Sequence, residues 1–174
     1  KTKVTKEKIA YVYNVLFPMF EEGKMSKKEY DRRMAKLFGI SEKEVDWYGN
    51  FVKYAKLNKP IFRLIERLRS KGIAIAYFSN VDKSRYMHMK LLLKPYAKLF
   101  DYSFASCYMG TRKPYKIAFE KVLRKMRVNP EEALFVDNEP KNVEGAEKAG
   151  IKSILFKNNK DLEKRIKGYV WQKA

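Results

Sequence analysis

The stretch Ala133–Gly150, ALFVDNEPKNVEGAEKAG, sets the reading of the chain, because an apolar run stops abruptly at polar groups that open a helix. Ala133, Leu134, Phe135 and Val136 are continuous and apolar, as a strand buried on both faces of a parallel sheet should be. Asp137 and Asn138 fall at its carboxyl end, where open α/β sheets carry their chemistry. Asn142 is a candidate cap for the following helix, Val143 and Ala146 share one face of it, and Gly150 is its stop signal.

Working outward, the rest of the second half repeats the alternation. From Pro60 on, Ile61, Leu64, Ile65 and Leu68 form a helical stripe closed by Gly72, and Ile73–Phe78 reads as a buried strand ending at Ser79 and Asn80. A helix over Lys83–Leu93, a short strand over Tyr102–Ser106 and a helix over Tyr115–Arg127 follow. A strand over Ile151–Phe156 and a last helix from Asp161 complete the series. Strands alternating with helices predict a parallel sheet with right-handed crossovers and helices on both faces.

The first 58 residues are different, being helical throughout. Ile9, Val12, Tyr13, Leu16, Phe17 and Phe20 keep helical spacing up to Gly23. Ser26 with Glu29 has capping-box spacing before a stripe of Tyr30, Met34, Leu37 and Phe38, closed by Gly39. Ser41 with Glu44 repeats the signal ahead of Trp47, Phe51, Tyr54 and Leu57. The expected organisation is a helical lobe over residues 1–58 and an α/β core over residues 59–174.

A chain of 174 residues supports one substantial core with a small accessory lobe. Its 39 Lys plus Arg against 20 Asp plus Glu give a formal charge of +19, more than solubility requires. Either a polyanionic partner or adaptation to high temperature accounts for such a surplus. Three clusters, Lys27/Lys28/Arg32/Arg33, Arg63/Arg67/Arg69/Lys71 and Lys121/Arg124/Lys125/Arg127, stand among tyrosines that could stack on bases. Taken singly, each is an ordinary solvated helix face. The single cysteine, Cys107, excludes an internal disulfide, and no apolar run reaches the roughly 20 residues that cross a bilayer. A cytoplasmic protein with no membrane partner is the expectation. The chain opens at Lys1 rather than methionine, so further residues upstream are expected.

Three polar sites therefore lie at strand ends or in the loops beyond them, in the order Ser79/Asn80, Lys113/Pro114 and Asp137/Asn138. With their contexts IAYFSN, GTRKPYKIAF and FVDNEPKNVEGAEKAG they resemble motifs two, three and four of the haloacid dehalogenase (HAD) superfamily. The helical start, containing FEEGKMSKKEY, looks like the small helical cap of the haloacid dehalogenase and epoxide-hydrolase-like branch. The resemblance implies a HAD-like Rossmannoid fold in which Ser79, Asn80 and Lys113 hold a phosphoryl group and the Asp137/Asn138 pair helps to hold Mg2+. Independently of it, a serine hydroxyl with the amides beyond a strand end suits an anion, and a lysine supplies the compensating charge.

The family's first motif is missing. It carries a nucleophilic aspartate and an acid/base aspartate two residues on, and no DxD occurs in these 174 residues. Covalent catalysis of phosphate-ester hydrolysis needs that nucleophile, and magnesium must offset its repulsion from the phosphoryl oxygens. Asn138 weakens the metal site again, since an amide carbonyl can ligate magnesium but brings no charge. In the family the missing strand is central, between those represented by Ile73–Phe78 and Ala133–Val136, and its loss leaves a slot that must be paired or covered. The slot could be filled by an upstream segment, by a partner's strand, or by closure of the two flanking strands.

Two functions follow. One is magnesium-dependent hydrolysis of a small phosphorylated substrate, with the nucleophile strand upstream of Lys1 and these 174 residues inactive alone. The other is a degenerate, non-enzymatic HAD fold that binds RNA, a ribosome or another polyanion through its basic surface. Among remaining candidates, His88 in MHMKLLL reads as a helix residue rather than a base, Cys107 lacks a histidine partner, and Asp82 reads as a helix cap near the site.

Overall fold

The computed structural model describes residues 3–170. They divide into two compact units, one comprising residues up to Leu57 with Phe78–Ala97 and Ser103–Arg112, the other Asn58–Tyr77, Lys98–Tyr102 and the residues from Lys113 on.

In the first unit, helix α1 (Lys6–Tyr11) runs through a π-helical turn (Val12–Leu16) into α2 (Phe17–Glu21). Pro18 explains the turn, because in an unbroken α-helix its ring would strike the carbonyl four residues back. The π turn relieves this, with the Phe17 amide reaching the Val12 carbonyl five residues away. It also corrects the expected apolar face. Val12, Leu16 and Phe20 are buried, while Ile9 and Tyr13 are 44% and 62% exposed. Helix α3 (Lys27–Phe38) starts at the Ser26 cap, whose hydroxyl accepts from the Glu29 amide at 3.2 Å, and stops at Gly39 in the left-handed region. Tyr30 stacks on Phe20 at 4.5 Å between ring centroids and closes a core of Val12, Leu16, Phe20 and Met25.

The Ser41–Glu44 capping box closes only a 3-10 turn, and helix α4 (Trp47–Tyr54) is capped instead by Asp46, which accepts from Gly49. The side chain of Trp47, expected on the apolar face, lies outside the described residues. Helix α6 (Lys83–Leu93) and the short α7 (Ser106–Met109) complete this unit.

In the second unit, α5 (Lys59–Arg69) and α10 (Asn159–Val170) enclose a core of Leu64, Leu68, Ile154, Leu162 and Ile166. Helix α8 (Lys116–Met126) and α9 (Pro140–Lys148) follow the expected order. The strands are β1 (Ala76–Ser79), β2 (Tyr102–Ala105), β3 (Leu134–Asp137) and β4 (Lys152–Leu155). They form two two-stranded sheets, β1 with β2 and β3 with β4, the latter parallel with Asp137 opposite Leu155.

Three expectations shift. Strand β1 begins three residues later than the apolar run, because Ile73 donates back to the Leu68 carbonyl and the Ile75 amide to the Asp101 carboxylate. Ser106 starts α7 rather than ending β2. Helix α9 is capped at Glu139, not Asn142, since Pro140 suits the first turn by its fixed φ and its missing N–H.

Candidate active site

Within the second unit, the sequence-predicted Lys113 and Asp137 meet. Asp137 is the last residue of β3, and its Oδ2 lies 2.7 Å from the Lys113 ammonium. Lys113 is only 7% exposed and sits 5.5 Å from the Phe135 ring centroid, so its charge needs a partner. The Asn142 amide donates to the same Oδ2 at 3.1 Å, and the Glu139 backbone amide donates to Oδ1 at 2.9 Å. Asn142 is therefore a buried part of the cluster, brought inward once the helix begins at Pro140. Gly145, one turn on, allows the chain after Lys113 to approach. A Cβ there would fall inside the van der Waals envelope of the Pro114 carbonyl oxygen. Asn138 is exposed beside the cluster.

Ser79 and Asn80 belong to the first unit, at and beyond the end of β1. The Ser79 hydroxyl donates to the Met89 sulfur at 3.7 Å, a weak bond that a better acceptor could replace. The next two residues are firmly held. Val81 donates to the Ser106 hydroxyl at 2.9 Å, and Asp82 caps α6 through the amides of Ser84 and Arg85. His88 meets the edges of Tyr48 and Phe51 at about 6 Å, a packing role. Burial pushes the Cys107 thiol up to about 11, which removes the thiolate a nucleophile needs.

One charged group was not anticipated. Glu21, 3% exposed at the end of α2, faces two guanidinium groups, with Oε1 2.9 Å from Arg85 and Oε2 2.9 Å from Arg112. Burial raises its pKa above the ordinary carboxylate value against the pull of Arg112 and Arg85. The sequence did carry a signal, an acid four residues after Phe17 on an otherwise apolar helix face.

Residues 6–150 match the haloacid dehalogenase-like hydrolases. The chain belongs to this family. Among relatives of known role, it is 26% identical over 135 residues to the sesquiterpene phosphatase astK of Aspergillus oryzae, covering 76% of this chain and 67% of that one. It is 32% identical over 98 residues to glyceraldehyde 3-phosphate phosphatase of Pyrococcus furiosus, covering 56% of this chain and 40% of that protein. Other relatives are longer still, and the chain spans 30% of a drimenol cyclase of Aspergillus calidoustus. In fold it resembles a HAD-family enzyme of Bacteroides thetaiotaomicron solved with magnesium and inorganic phosphate, at 21% identity and TM-score 0.69 over 88% of this chain and 79% of that one.

HAD-family enzymes generally use magnesium, and the residues of this chain can be tested against it. Magnesium demands a near-octahedral shell of oxygen ligands. Among the described residues no three His, Cys, Asp or Glu side chains group to hold a metal. Asp137 is the one carboxylate of its cluster, and an ammonium already lies on it. By themselves these residues do not fit a magnesium ion. No helix among the described residues is long and apolar enough to cross a membrane.

Proposed function

We propose that this HAD-like chain belongs to a magnesium-dependent phosphate-ester hydrolase acting on a small phosphorylated substrate. The buried Lys113, held at the end of β3 by Asp137 and Asn142, carries the reading, since a nearly inaccessible ammonium is retained where the family places its phosphate-binding lysine. Ser79 and Asn80 take the phosphate-binding role of motif two, and the Asp137/Asn138 pair stands where the family's fourth motif helps to hold its metal. The catalytic reading takes the nucleophile and the remaining carboxylates from outside these 174 residues, in which no DxD occurs. The phosphatase names of two relatives support the activity, and the lone, buried cysteine supports a cytoplasmic location.

The test is hydrolysis of p-nitrophenyl phosphate by the natural full-length protein. Activity should require magnesium and vanish with chelator, and Lys113→Ala should lower kcat/KM roughly 10²–10³-fold, the usual loss of one preorganised charge donor. Hydrolysis that survives both treatments would sink the reading.

A second reading, a polyanion-binding surface, is favoured at one place. In the Lys27, Lys28, Arg32 and Arg33 cluster Lys27 pairs with Asp31 and both arginines with Glu29, and in the Arg63, Arg67, Arg69 and Lys71 cluster Arg67 and Arg69 pair with Glu163 and Asp101. Lys121, Arg124, Lys125 and Arg127 are all exposed along and just beyond α8. RNA bound there would persist in chelator and weaken linearly on a log scale with salt. Binding that ignores salt would exclude it.

A further inference from the structure

We propose that Glu21 is a positioning residue for the phosphate-binding segments, fixing Arg112 immediately before Lys113 and the turn immediately after Ser79 and Asn80. The proposal rests on the hydrolase reading and adds to it a residue from the helical start of the chain.

Both parts of Glu21 are engaged, and every contact is within the first unit. Its carboxylate holds Arg112 through Oε2 and Arg85 through Oε1, each at 2.9 Å. Arg85 in turn grips Asp82, three residues beyond Ser79, through its Nε. The main chain of Glu21 adds a second tie, because the Ser106 hydroxyl donates to the Glu21 carbonyl at 2.6 Å while accepting from the Val81 amide at 2.9 Å. Gly23 lets this corner seat closely. Its φ is +70°, and a Cβ would collide with the Cys107 carbonyl oxygen. The end of α2 is thus fastened to the segment after motif two and to the Ser106–Arg112 segment that leads into motif three.

The two arginines differ in what else holds them. Arg85 keeps Asp82, and its guanidinium lies 4.9 Å from the Phe17 ring centroid and 5.7 Å from that of Phe51. Arg112 has Glu21 as its acid partner among the described residues, and its buried Nε finds no hydrogen bond among them. Removing the charge of Glu21 therefore leaves Arg85 anchored and releases Arg112, the residue bonded to Lys113. An ion pair serving only the fold would change stability alone. One serving position changes how tightly the adjoining segments take phosphate.

The experiment is calorimetric titration of the full-length protein with inorganic phosphate in magnesium buffer, alongside a thermal melt. Glu21→Gln should weaken phosphate binding roughly 10- to 100-fold, the scale of a small displacement of a binding group. Leu16→Ala, which opens the core beneath the same helical run, should lower Tm and leave the Kd unchanged. Should Glu21→Gln fail to fold, Arg112→Met reads the same link from the other end and should also weaken binding. Wild-type affinity in a folded Glu21→Gln protein, or in Arg112→Met in its place, overturns the positioning role while Lys113→Ala still tests the hydrolase reading. Wild-type protein that binds no phosphate at all overturns both.

Discussion

Among the described residues, the buried ion clusters around Asp137 and around Glu21 are of opposite character. Around Asp137 both carboxylate oxygens are satisfied, one by a backbone amide and the other by Lys113 and Asn142. Around Glu21 the ion pair to Arg112 is close but not aligned as a hydrogen bond, and burial outweighs two arginines in setting the protonation of the acid. A buried charge with its lone pairs filled costs little to keep, whereas one held mainly by proximity leaves desolvation unmet. The Asp137 cluster suits a rigid binding group. The Glu21 cluster suits a fastening between distant parts of the chain, where the retained cost is tolerated for the geometry it imposes.

The comparison breaks most severely at Arg85, which serves two acids at once. Arg85→Met should leave Glu21 and Asp82 buried near each other with one arginine fewer. The expected loss is about 3–5 kcal/mol, that of stripping one partner from a buried pair, read by urea unfolding. A loss below about 1 kcal/mol would show that water reaches these acids and that the cluster is no fastening.

Gly145 probes the other cluster. Gly145→Ala inserts a methyl against the Pro114 carbonyl, which is backbone and cannot swing aside, so Lys113–Pro114 or α9 must shift. The cost should be about 1–3 kcal/mol by overpacking, with weaker phosphate binding because the displaced peptide carries Lys113. Unchanged stability and affinity together would mean that the approach of Pro114 to α9 is looser than the structure has it.

What the sequence could and could not show follows the same division. Helix α6 starts where Asp82 as a cap puts it, and Lys113, Asp137 and the strand β3 are legible because they stand in short local contexts. The start of α9 was misread through Asn142, a good cap in general, when Pro140 two residues earlier settles the first turn. The exposed Ile9 and Tyr13 follow from a π turn that only Pro18 hints at. For Glu21 the sequence offers only an acid on an apolar helix face, because its partners Arg85 and Arg112 are brought to it by the fold and no local spacing encodes their meeting.

The smallest expected effect separates the clusters by pH. Glu21 has its folded pKa raised above 4.5, first by burial and secondarily by Asp82, with Arg112 and Arg85 opposing. Between 4.5 and that raised value the folded protein holds more protons than the unfolded chain, so this group's contribution to stability falls as pH rises through the window. Glu21→Gln removes the titration and keeps the shape, and carboxylates common to both proteins cancel in the difference. Urea unfolding across this range should therefore show wild type losing ground to Glu21→Gln as pH rises, then levelling once Glu21 is ionised in both states. A difference that moves the other way would mean that the two arginines prevail over burial, making the Glu21 cluster as well satisfied as the one around Asp137.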